Sequence, residues 1–138
     1  MPKQSPLPDD LDRPHGEGAN ADRLVLQYCT ADDRWQYPPA PVCGGCGSAE
    51  HLEWRENEGA GTIYSYAVVH HTYIAGLKDE LPFNAAVIAL DSAPGLNFYT
   101  RLPGSAPGEV PIGAKVRVVF EATPATGQKI PEWVLAES

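Results

Sequence analysis

Two short half-sites constrain this chain more than anything else in it: Cys29-Thr-Ala-Asp32 and, ten residues on, Cys43-Gly-Gly-Cys46. Paired knuckles of this spacing are how a zinc ribbon closes a tetrahedral site around one ion. Here three thiolates are present, and the fourth position holds a carboxylate. Zinc accepts aspartate oxygen as well as cysteine sulfur and histidine nitrogen. Three readings stay open: a filled site of Cys29, Asp32, Cys43 and Cys46, a degenerate ribbon whose knuckles persist without metal, and one that His51 or His15 completes. Asp33 offers a second carboxylate beside Asp32. A bound ion would be structural, because four protein donors leave no open position for water. A redox dithiol is the competing reading of Cys43 and Cys46. That chemistry usually opens a helix within a βαβ pattern, whereas Gly44, Gly45 and Gly47 suit a tight knuckle.

The totals narrow the class. A chain of 138 residues makes one domain or two very small ones, with a modest core that a metal clip or a partner subunit would reinforce. A net charge of −8 with only ten scattered Lys and Arg opposes a phosphate-binding surface. A nucleic-acid-binding module, a class in which ribbons and OB barrels both occur, is therefore the weaker rival. Three cysteines, with no apolar stretch resembling a signal peptide or membrane span, place the expected location in a reducing cytoplasm.

Along the chain, residues 1–23 mix Pro2, Pro6, Pro8, Pro14, Gly16 and Gly18 with charges. That composition predicts a flexible extension, or one ordered by a partner, with at most one poorly formed helical turn. Short strands are expected at Leu24–Tyr28 and Arg34–Tyr37, joined to the second knuckle through the stiff run Pro38-Pro39-Ala40-Pro41. Beyond Leu52 and Trp54 the pattern becomes strand after strand: 62–71, 84–90, 97–102 after a Pro94-Gly95 turn, 115–121 and 132–135. Val116, Val118 and Phe120, or the alternate set, would face inward. Five short strands separated by Gly and Pro turns predict a small closed barrel of the OB type. The fold class is all-β: a rubredoxin-like ribbon over 24–58, then a five-stranded OB barrel over 59–138.

Leu26-Gln27-Tyr28-Cys29, Tyr37-Pro38-Pro39, Pro41-Val42-Cys43-x-x-Cys46 and Gly59-x-Gly61-Thr62-Ile63-Tyr64-Ser65-Tyr66 together resemble the zinc-ribbon plus OB-fold family of acyl-CoA-associated proteins. Leu81-Pro82-Phe83, Ala89-Leu90-Asp91 and Ile112-Gly113-x-x-Val116-x-Val118-x-Phe120 agree with it. The resemblance runs from about residue 24 to the C-terminus. It departs from the family in two places: Asp32 stands where the fourth cysteine would be, and His15-Gly16 replaces an aromatic pair that often follows a proline. The resemblance implies a non-catalytic partner of a thiolase-like enzyme, a thiolase or aldolase, within a complex that binds CoA thioesters. Such complexes make or cleave carbon–carbon bonds, in settings such as steroid side-chain or aromatic-acid degradation. A stand-alone acyl-CoA-binding protein is the alternative.

The residues themselves supply no catalytic apparatus. There is no nucleophile elbow and no phosphate-cradling glycine loop, and the three cysteines belong to the knuckles. His70 and His71 are adjacent on a strand and point to opposite faces, so they do not share a site. Tyr64, Tyr66, Tyr73, Phe83 and Tyr99 are expected in the barrel wall, a few of them forming an apolar patch for a partner. Asp79 and Glu80 are expected in a solvated loop.

Overall fold

In the computed structural model, residues 6, 9–73, 75–93, 95–102 and 105–136 are described. The expectations for residues 1–5, 7 and 8, and for Pro94 of the Pro94-Gly95 turn, lie outside them. Gly95 takes a positive φ of 85°, as a turn glycine does.

The ribbon is a three-stranded antiparallel sheet of β1 (Leu24–Cys29), β2 (Arg34–Gln36) and β3 (Leu52–Asn57), in the order β2-β1-β3. Five further strands form the barrel: β4 (Ala60–Val69), β5 (Phe83–Leu90), β6 (Asn97–Arg101), β7 (Lys115–Ala122) and β8 (Lys129–Leu135). Their antiparallel order is β6-β5-β4-β7-β8, and the two outer strands approach one another so that the sheet nearly closes. Strand β5 shows why it forms: Asn84, Ala86, Ile88 and Leu90 are buried while their neighbours are less so, the period of two that a half-buried strand requires. Val116 is buried on β7, with Val118 and Phe120 packed partly against the core. The two sheets share that core. Leu24 and Leu26 from the ribbon's central strand lie in one cluster with Ile63, Ile88, Val116 and Trp133 of the barrel.

Residues 13–20 depart from the sequence reading. Arg13–Asn20 is an eight-residue helix, α1, laid against β1 and β8. Pro14 stands at its first turn, where a missing N–H costs nothing. The glycines that read as breakers allow close approach: a Cβ on Gly18 would lie 2.5 Å from Val25 Cγ2. The far end is fixed to β8, with Gln128 Nε2 donating to Gly16 O at 3.0 Å and Lys129 N donating to Asn20 Oδ1 at 2.9 Å.

Among the described residues no helix is long and apolar enough to cross a membrane. Residues 105–108, between β6 and β7, hang on buried Asn84. Its Nδ2 donates to Ser105 Oγ and Ala106 O, and its Oδ1 accepts from Gly108 N, each at 2.8 Å. Asn84→Ala strands those groups and is expected to cost about 1–3 kcal/mol of stability in a urea titration; a midpoint like that of the wild type would mean water replaces the amide without loss.

Candidate metal centre and neighbouring clusters

Folding brings Cys29, Asp32, Cys43 and Cys46 together. One donor atom from each lies within 4.8 Å of all the others. Cys29 ends β1, and Asp32 follows in the turn to β2, where Asp33 takes a positive φ of 52°. The second knuckle is closed by its own backbone: Gly47 N donates to Cys43 O at 2.8 Å, and Cys43 N donates to Ser48 O at 3.0 Å. Cys29 and Cys43 are buried; Asp32 and Cys46 form the exposed rim.

Two donor spacings can be set against those of a tetrahedral ion, the sulfur–sulfur one close to it and the sulfur–oxygen one about 0.4 Å short. Zinc–sulfur bonds of about 2.3 Å and zinc–oxygen bonds of about 2.1 Å set edges of roughly 3.7 Å between sulfurs and 3.6 Å from sulfur to oxygen. Cys29 Sγ lies 3.8 Å from Cys46 Sγ, and Cys43 Sγ lies 3.2 Å from Asp32 Oδ2. All three thiols are free of disulfides. The backbone N–H of Asp32 holds the Cys29 thiol below its usual pKa, with hydrogen bonds from Cys43, Ala31 and Cys46 adding to it against the opposing effect of burial. That favours the thiolate a metal needs. At Cys46 the N–H of Ser48 acts downward, but burial and the neighbouring Cys43 and Cys29 sulfurs outweigh it and the thiol is raised. Gly45 completes the cradle. A Cβ there would sit 2.4 Å from Asp32 Oδ2, so only glycine lets that carboxylate reach the sulfurs.

His51 and His15 take no part in the cluster. The backbone carbonyl of His51 accepts from Thr30 N, and His15 Nδ1 lies 3.0 Å from Val25 O under α1. His70 and His71 are exposed, with His71 edge-on to Tyr73.

The aromatic expectation needs correcting. Tyr64, Tyr73 and Tyr99 are 69%, 94% and 82% exposed, so they are not barrel wall. Tyr64 faces outward next to buried Ile63, and a bulge between Ile63 and Ser65 resets the alternation so that Tyr66 does not share its face. Tyr66 packs against the core, and its hydroxyl donates to Gly108 O. Glu80 is not merely solvated: it is the last residue of a 3₁₀ helix (Ala75–Glu80) and pairs with Arg101 at 3.1 Å. The same guanidinium meets Glu121 at 3.1 Å and buried Glu132 at 2.5 Å. Burial first, then competition from Glu121, raises the Glu132 carboxyl despite Arg101. No linear motif announces this four-residue cluster, whose members are spread over residues 80–132.

Two family models divide the chain between them: the ChsH2 rubredoxin-like zinc ribbon domain over residues 17–51 and the ChsH2 C-terminal OB-fold domain over 54–121. A chain of the solved Ltp2-ChsH2(DUF35) aldolase superposes with a TM-score of 0.81 and 31% identity, covering 96% of this chain and 100% of that one. The chain belongs to the ChsH2 family. A probable enoyl-CoA hydratase alpha subunit of Thermomonospora curvata is 38% identical over 102 residues, 72% of this chain, which spans only 30% of that protein's length. A DUF35-family protein of unknown function from Sulfolobus solfataricus shares the fold, with a TM-score of 0.62 and 16% identity over 92% of this chain and 86% of its own.

The ribbon geometry gives a paired test. Gly45→Ala would drive Asp32 off the sulfurs, whereas a Cβ on Gly44 would only meet Gln36 Oε1 at an ordinary 3.5 Å. Gly45→Ala is expected to lose about 1–3 kcal/mol of stability and Gly44→Ala almost none, measured by thermal melts of both. Equal melting temperatures would show that the Asp32 carboxylate is not held in the cradle.

Proposed function

We propose that this chain is the non-catalytic accessory subunit of a thiolase-like enzyme, a thiolase or aldolase, that makes or cleaves carbon–carbon bonds in CoA thioesters. The observation that carries the reading is the match, over its whole length, to a chain of the Ltp2-ChsH2(DUF35) aldolase. The partial match to an enoyl-CoA hydratase alpha subunit favours the same CoA-linked setting.

The chemistry of the described residues supports a division of labour. Cys29, Cys43 and Cys46 are drawn into one cluster with Asp32, so no cysteine stands free as a nucleophile. Among the described residues, the exposed His71 is set edge-on against the Tyr73 ring and not oriented by a carboxylate. The partner therefore supplies the reacting groups and the oxyanion stabilisation. The contribution of this chain is a rigid docking body, with the exposed Tyr64, Tyr73 and Tyr99 as candidate anchors, since aromatic side chains are favoured at interface centres. CoA thioester is bound by the assembled complex.

Within this reading Cys29, Asp32, Cys43 and Cys46 hold one structural zinc ion. With four protein donors the ion acts as a cross-link between the β1–β2 turn and the second knuckle, adding folding free energy directly. Elemental analysis of chelator-free protein should give about one zinc per chain. Asp32→Cys should retain it, and Asp32→Ala should release it on mild chelation with a lower melting temperature. Metal-free wild type with an unchanged melt on zinc addition would leave the ribbon standing on its turns alone.

Co-expression with a thiolase-like protein encoded beside this chain tests the subunit role. The two are expected to elute as one complex and to lose carbon–carbon bond-cleaving activity on a CoA thioester when this chain is withheld. Separate elution, with full activity of the thiolase-like protein alone, would remove the accessory role.

A further inference from the structure

The four donors of the ribbon carry a charge problem with them. Three thiolates and a carboxylate around a divalent zinc ion leave the centre with two negative charges in excess. Cys29 and Cys43 are buried, where uncompensated charge is unfavourable, and the chain as a whole already carries −8. A cation stands beside them. Arg34 opens β2 and pairs across the ladder with Cys29, the residue that closes β1. Directly opposed residues of two antiparallel strands place their side chains side by side on one face of the sheet.

The arginine side chain then continues over the second knuckle. Its Nη1 lies 3.0 Å from the point that a Cβ on Gly45 would occupy, and its Nη2 lies 3.7 Å from the corresponding point on Gly44. Asp32 Oδ2 lies 2.4 Å from that same Gly45 point, so Nη1 and Oδ2 are at most about 5.4 Å apart, the sum of the two distances. Gly45 therefore makes room for two groups, the carboxylate and the guanidinium. An opposite charge within about 4–6 Å favours the ionised form of a carboxylate or thiol. Arg55, the other arginine of the ribbon sheet, is differently employed. It pairs with Glu53 and lies over the Tyr28 ring at 3.8 Å, and Tyr28 points to the face opposite Cys29.

We propose that Arg34 is the charge-compensating residue of the metal centre. Its guanidinium acts from outside the four ligands, offsets one of the two excess negative charges, and so strengthens the hold of a site built from three thiolates and a carboxylate on zinc. The inference rests on the reading of Cys29, Asp32, Cys43 and Cys46 as a zinc site, and adds to it a residue that no ligand motif contains.

The test measures the zinc affinity of the full chain by competition with a chromogenic chelator. The same proteins are loaded with cobalt(II), whose absorption bands report the ligand set. Arg34→Gln is expected to bind zinc about ten-fold or more weakly, as is usual when a group behind the ligands is lost, with the cobalt bands unchanged. Arg34→Lys keeps the charge and should recover most of the loss. Added salt should narrow the gap between wild type and Arg34→Gln, because Arg34 is exposed. Lys115→Gln removes a positive charge from the barrel, beside Asp91, and should leave the affinity unchanged, which separates place from net charge. Wild-type affinity in Arg34→Gln, or no recovery in Arg34→Lys, would overturn the proposal while the zinc site stands. Altered cobalt bands in Arg34→Gln would overturn it as well, since the arginine would then be shaping the ligand set. A wild-type chain that takes up neither ion would sink the zinc reading itself and this inference with it.

Discussion

The structure depends on burying Leu24 and Leu26, from the centre of the ribbon sheet, inside the hydrophobic cluster of the barrel. Each leucine taken from water contributes about 1.5–3 kcal/mol, and neither small sheet offers much core by itself. The consequence is that ribbon and barrel are not beads on a string. β1 belongs to one sheet by hydrogen bonding and to the other by packing. Helix α1 lies across both, drawn close by Gly18 and fastened to the start of β8 through Gln128 and Lys129.

That arrangement explains the placement of the knuckles. β1 runs from Leu24 and Leu26 in the shared core to Cys29, so the candidate metal cluster stands at the end of a strand whose root is anchored in the barrel. Gln27 reinforces the root of the second knuckle. Its amide donates to Ala40 O and accepts from Ala40 N and Gln36 Nε2, fixing the proline-rich approach to Cys43. The cluster of Cys29, Asp32, Cys43 and Cys46 is thus positioned by backbone and packing before any ion arrives, which favours a structural role over a reactive one.

Most of this was legible in the sequence. The strands announce themselves by alternation, as in residues 83–90, and the knuckles by spacing alone. Where reading failed, the cause was tertiary. Pro14, Gly16 and Gly18 argue locally against a helix, yet Gly18 is what lets the helix lie flush on Val25 of β1. Tyr64 and Tyr66 would share a face by a period of two, but a bulge between Ile63 and Ser65 places them on opposite faces. Arg101 gathers Glu80, Glu121 and Glu132 from three distant segments, a meeting that no linear pattern encodes.

The proposed accessory role makes this chain a docking body and assigns the reacting groups to another polypeptide. The direct measurement is carbon–carbon bond cleavage of a panel of CoA thioesters by the isolated chain, followed as product formation by mass spectrometry. The account predicts a rate equal to the buffer blank for every thioester. Saturable turnover by this chain alone, abolished by substitution of one of its own side chains, would contradict it.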